Sequence, residues 1–133
     1  MIAHRLTQIF IVLVAMHSII LGSAMLFWPL TTMQFFGWEY QGPLFYPAQT
    51  GIFLIILAVA YLEGLWYRPF GWFLVITKAV AVVFLLAEYY IVEVNPPRTI
   101  LIAAFFDGLM GLAVGGALYK SRKNQRQIRS ESR

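Results

Sequence analysis

Apolar positions along this chain fall into four long runs, at about 6–28, 45–66, 70–92 and 97–119, separated by short polar or proline-bearing breaks. A bilayer core about 30 Å thick takes roughly 20 residues of helix at about 1.5 Å rise each, and every run reaches that length. Stretches such as 52–60 and 80–87 are apolar on every face and do not alternate with polar residues, which rules out barrel strands. The pattern predicts an all-α, integral membrane four-helix bundle. Pro69 and Pro97 stand where helices would begin, and a proline's missing N–H costs nothing there. The links Tyr67-Arg68-Pro69 and 93–96 are short enough to make the second, third and fourth spans antiparallel neighbours.

The segment 30–44 follows another pattern. Thr31, Thr32, Gln34, Glu39 and Gln41 are interleaved with Phe35, Phe36, Trp38 and Tyr40, and Gly37, Gly42 and Pro43 interrupt them. An aromatic, half-polar stretch of this kind suits the membrane–water interface. It predicts a segment lying along the outer surface, with a short helical turn near 31–36. From Lys120 the chain becomes polar and basic, which predicts a frayed or disordered tail over 120–133.

Composition agrees with the patterning. Of 133 residues, 60% are hydrophobic and 12% charged, against about 25% charged in a soluble domain. A small soluble domain buries only about 60–70% of its surface and could not hide so much apolar area. The first run is longer than the roughly 7–15 residues of a signal-peptide core, so it is expected to remain as a span. The absence of cysteine excludes disulfides, thiolate metal sites and c-type haem attachment.

The net charge of +4 is unevenly spread. Arg5, Arg68, Lys120, Arg122, Lys123, Arg126, Arg129 and Arg133 fall on one side of the spans, and Arg98 alone among bases falls on the other, with Glu39 and Glu93. Lys and Arg accumulate on the cytoplasmic side, so both termini are expected there, with the chain a multi-pass protein of the bacterial inner (plasma) membrane. The basic tail would attract anionic lipid. Nucleic acid is not expected as a partner, because the run is short, lacks aromatics and is accounted for by topology.

Candidate chemistry lies in polar residues within the spans, where a charge costs about 2.5–3.5 kcal/mol and normally faces protein or water. Asp107 is near the middle of the fourth span, and Lys78 slightly to the cytoplasmic side of the middle of the third. Their depths differ by roughly 5–8 Å, within reach of a lysine stem. An ion pair is the expectation, either fixing helix register or handling a proton or substrate. Lys78 could instead snorkel to the headgroups. The patterns Ala104-x₃-Gly108 and Gly111-x₃-Gly115 flank Asp107 with small residues that let another helix approach.

His17 lies near the centre of the first span, as an inert hydrogen-bond donor or a proton relay. His4, at the interface, is not at a matching depth, so no haem is expected, and one histidine makes no metal site. Glu88 and Gln49 could form an outer vestibule, or Glu88 could simply be solvated. Tyr61, Glu63, Trp66, Tyr67 and Trp72 look like an inner interfacial belt. No phosphate loop, zinc motif or nucleophile elbow occurs, so no catalytic residue and no cofactor is indicated.

The arrangement of Phe27-Trp28-Pro29, Phe36-Gly37, Pro47-Ala48-Gln49-Thr50-Gly51, a second span ending at Tyr61, Lys78 in the third and Phe106-Asp107-Gly108 in the fourth resembles the DoxX-like small bacterial membrane proteins and related domains of unknown function. The resemblance covers about residues 7–119. It implies a four-helix bundle. Some members are linked to quinone-coupled sulfur oxidation as a small subunit, and others act as accessory or assembly partners of larger membrane proteins. The positions it carries over are Gln49, Gly51, Lys78 and Asp107. Without cysteine, the chain offers no thiol for such redox chemistry.

Two functions follow as expectations. One is a non-catalytic accessory subunit that binds other membrane protein subunits or a second copy of itself. The other is a quinone- or lipid-like small-molecule site, in a binding protein, enzyme or transporter, at Lys78, Asp107 and His17. A proton or ion path through the same residues would require an oligomer.

Overall fold

A computed structural model describes residues 2–92 and 97–131. The acidic turn containing Glu93 and the terminal Arg133 lie outside the described residues. The fold is α1 (Ile2–Phe27), α2 (Pro29–Phe35), α3 (Phe45–Glu63), α4 (Arg68–Ala87) ending in a π-helical turn (Glu88–Val92), and α5 (Thr99–Glu131). No strand occurs among the described residues. Four of the helices, α1, α3, α4 and α5, are long and apolar enough to cross a membrane, and the chain is a multi-pass helical membrane protein. Side chains such as Leu13, Ile56, Val83 and Leu112 point outward on these helices, as lipid permits and water would not.

The breaks have local causes. Pro29, in the first turn of α2, follows a one-residue interruption at Trp28. α3 ends at Glu63, short of the expected 66, where the amides of Gly64 and Leu65 turn back onto the carbonyls of Tyr61 and Leu62 in a tighter three-residue turn. Tyr67 is extended ahead of α4, and Pro69 sits in the helix's first turn.

The helices form two tight pairs, α1 with α3 and α4 with α5. Contact between α1 and α5 joins the pairs, and α3 touches α4 only lightly. The short 64–67 link therefore sets direction without producing an extensive interface. Where α1 and α3 cross, Gly22 and Gly51 face each other. A Cβ on Gly51 would lie 2.5 Å from the Gly22 carbonyl oxygen and 2.8 Å from the Leu26 amide nitrogen. Only the absence of side chains lets these backbones meet. Of the stripe on α5, Gly111 packs against Lys78, while Gly108 and Gly115 face α4 with ordinary room to spare.

The close-packed core is Ile11, Val14 and Ala15 of α1, Ala58 and Tyr61 of α3, Leu74 of α4, and Val114 and Leu118 of α5. These positions all lie toward the end where α1 begins and α5 leaves the bundle. Tyr61 belongs to this core and not to an interfacial belt: it is 2% exposed, and its hydroxyl pairs with the Thr77 hydroxyl at 2.9 Å, linking α3 to α4.

Two segments refine or depart from the sequence expectation. Segment 30–44 opens with α2, a short helix where a helical turn is expected near 31–36, and the chain bends at Trp28 between α1 and α2. The Thr32 hydroxyl is within donating distance of the carbonyls of Ala24 (3.0 Å) and Trp28 (2.8 Å), and the Thr99 hydroxyl of α5 donates to the Phe36 carbonyl. Thr32, read as interfacial polarity, is spent with Thr99 on tying the turn down. The expected frayed tail is instead a continuation of α5, unbroken past Tyr119 to Glu131. No glycine or proline occurs after Gly116, and Lys, Arg, Gln and Glu are good helix formers.

The Gly22–Gly51 crossing predicts a sharp position effect. G51A is expected to destabilise the chain by about 1–3 kcal/mol through overpacking, lowering the midpoint of thermal unfolding in detergent. G116A, whose Cβ would meet nothing within 4 Å, is expected to unfold at or slightly above the wild-type midpoint, by the helix preference of alanine over glycine. Equal midpoints for G51A and wild type would refute the close crossing.

Candidate functional site

Where the core ends, toward the α2 side of the bundle, Lys78 Nζ lies 2.5 Å from Asp107 Oδ1. The expected pair between α4 and α5 is formed. Lys78 does not snorkel away; its side chain is 7% exposed, and that of Asp107 17%. The approach depends on α5. A Cβ at Gly111 would stand 3.2 Å from Lys78 Cβ, so the lysine stem lies over Gly111 and its ammonium reaches Asp107, one helical turn away. A larger residue at 111 would lift the stem off the helix.

Beside the pair opens a cavity of about 540 Å³. Lys78 and Asp107 lie on its wall with His17 and Ser18 of α1, so three of the intramembrane polar residues expected from the sequence meet in one place. The rest of the lining is apolar, including Leu21, Leu54 and Met110. Phe35 and Phe36 form one border, positioned by the Thr32 and Thr99 hydrogen bonds that hold α2 back. A second cavity of about 500 Å³ shares His17, Leu21, Phe35 and Phe36 and runs along the other face of α1 toward Trp28. His17 thus borders both spaces, and its side chain is exposed to them rather than packed in the core.

The wall is open at the side. Phe106 is 50% exposed and Ile102 54%, so the cavity communicates with the lipid-facing surface of α5. A lipophilic molecule could reach it from the bilayer without passing through water. Chemically, the cavity offers one ammonium, one carboxylate that neutralises it, one imidazole and two hydroxyls, from Ser18 and Thr99. Such a set can hydrogen-bond and orient a polar head. Among the described residues no group of three or more His, Asp or Glu is arranged to hold a metal ion.

Gln49 and Glu88 do not join this site. Gln49 is half-buried on α3 and Glu88 opens the π-helical turn after α4; neither lines the cavity. The light contact between α3 and α4 leaves nothing to draw them together. Sequence reasoning missed Ser18, Thr99, Phe35, Phe36 and the Gly22 partner of Gly51. A serine or threonine in a helix carries little signal, because it can bond its own backbone. Gly22 could have been noticed as the small residue opposite Gly51.

Breaking the pair from one side strands a buried charge. K78M and D107L are each expected to lower stability by about 3 kcal/mol, and the double variant to recover most of the loss. Unfolding of the four chains in detergent reads the cycle directly, and additive losses would show that the contact carries no coupling. No protein-family model, curated protein or solved structure matches this chain.

Proposed function

We propose that this protein binds a lipophilic small molecule with a polar head, quinone- or lipid-like, taken laterally from the bilayer into the cavity beside Lys78, Asp107 and His17. The observation that carries this reading is their convergence: Lys78, Asp107 and His17 come from three helices and face one largely apolar space. Ligand sites in helical bundles are built in this way, from a few polar groups in an apolar wall. An intramembrane charge is also functional by default, because hydrocarbon makes it costly to keep.

The resemblance to DoxX-like proteins fits this reading, and Lys78 and Asp107, two of the positions it carries over, are on the cavity wall. The positive-inside pattern would place the Arg68 and Lys120 end in the cytoplasm and the α2 side facing outward. A purely accessory role draws on the exposed apolar helix faces, and contact with lipid already accounts for those.

The test is retention. Wild-type protein extracted from its native membranes in mild detergent is expected to carry a stoichiometric lipophilic molecule, identified by mass spectrometry of the extracted ligand. A103W, which fills the cavity from α5, is expected to lose at least about nine-tenths of it, in the manner of a blocked apolar pocket, while keeping its helix content. If A103W holds as much as the wild type, or the wild type holds nothing beyond bulk lipid, the proposal fails.

A further inference from the structure

We infer that the opposite end of the bundle carries a separate site, a headgroup pocket for an anionic phospholipid. A cavity of about 260 Å³ opens there between the start of α1, the α3–α4 turn and α5. Its floor is apolar, made by Ile11 and Leu118 of the core with Leu65. Its rim is polar, with Gln8 and Thr7 from α1, Arg68 from the start of α4, and Ser121 from α5.

Arg68 is the centre of the argument. Its Nη2 donates to Ser121 Oγ at 3.0 Å, tying the first residue of α4 to α5 and fixing the guanidinium at the rim. A guanidinium has five N–H donors in a planar fork suited to phosphate oxygens, and this bond uses one of them. Arg5, Lys120, Arg122 and Lys123 are exposed at the same end, and Glu63 is the acidic residue there. The local field therefore favours an anion. Basic pockets between membrane helices on this kind of surface are where anionic headgroups lodge.

The rest of the pocket favours a lipid over a free ion. A polar rim above an apolar floor matches the glycerol-ester region beneath a phosphate. Trp66, 72% exposed at the rim, stands where an indole sits at the headgroup level. None of these residues belongs to the central cavity, so this site stands or falls independently of the function proposed above.

The full chain, reconstituted in mild detergent with equal phosphatidylglycerol and phosphatidylcholine, tests the inference by native mass spectrometry. Wild type is expected to retain one phosphatidylglycerol in preference to phosphatidylcholine. R68Q is expected to cut that retention about tenfold, beyond the roughly fivefold that one surface charge supplies. K123Q removes the same charge from the far face of α5, two residues and about 200° of helix from Ser121, and is expected to cut it by no more than that roughly fivefold surface-charge share. Equal losses in R68Q and K123Q would reduce the effect to general surface charge and overturn the site. So would unchanged retention in R68Q, or displacement of the lipid by millimolar inorganic phosphate. Should R68Q not be recovered folded, S121A and Q8L carry the test. Each is expected to lose about fivefold, as loss of one hydrogen bond at the rim would give, and wild-type retention in both overturns the proposal.

Discussion

The ion pair between Lys78 and Asp107 constrains the rest of the bundle. Hydrocarbon provides no other partner for either charge, so α4 and α5 must lie in the one register that brings them together. Gly111 makes that register possible by leaving space for the lysine stem. The pair also marks a boundary. Toward the basic end, Leu74 and Val114 are fully buried; toward the α2 end, the same two helices border open space. A bundle with two apolar residues at these positions would have no comparable reason to hold the helices in this alignment at the edge of a void.

The remaining helices are arranged around that fixed pair. α1 commits one face to α3 at the Gly22–Gly51 crossing, where the backbones meet. Helices held that closely cannot also spread to fill the space beside α5. Phe35 and Phe36 partly cover it, brought there because α2 folds back on Thr32 and Thr99. The cavity is thus a consequence of two incompatible demands: close α1–α3 contact on one side, and charge pairing between α4 and α5 on the other.

Hydropathy made the four spans legible because lipid imposes a length and a composition that few soluble segments share. The Lys78–Asp107 pair was legible for the same reason, since each charge stood out against an apolar run and the helical rise put them at compatible depths. The fold of α2 was not, because Thr32 bonds back across the bend at Trp28 and Thr99 bonds a carbonyl 63 residues away in sequence, and nothing in their local context tells such a bond from a solvated hydroxyl. Tyr61 was misread because tyrosine near a span's end is common at interfaces, whereas here its partner Thr77 lies on the next helix. The tail was misread because polarity was equated with disorder, although its residues have good helix propensity and no breaker follows Gly116.

Electrostatics narrows what the cavity could hold. Lys78 and Asp107 already cancel each other at 2.5 Å, so an incoming anion would have to separate the ammonium from its carboxylate, and an incoming cation would face the reverse. In a site of low dielectric, separating such a pair costs more than a single new contact returns. An uncharged head leaves the pair intact and can still hydrogen-bond to the carboxylate's second oxygen, to His17 or to the Ser18 and Thr99 hydroxyls around it. The basic end presents the opposite case: Arg68 is tied only to a neutral serine hydroxyl through the bond described, with further bases nearby. One chain thus offers a self-neutralised pocket within the bundle and a net-positive rim at its end, and the two select for ligands of different charge.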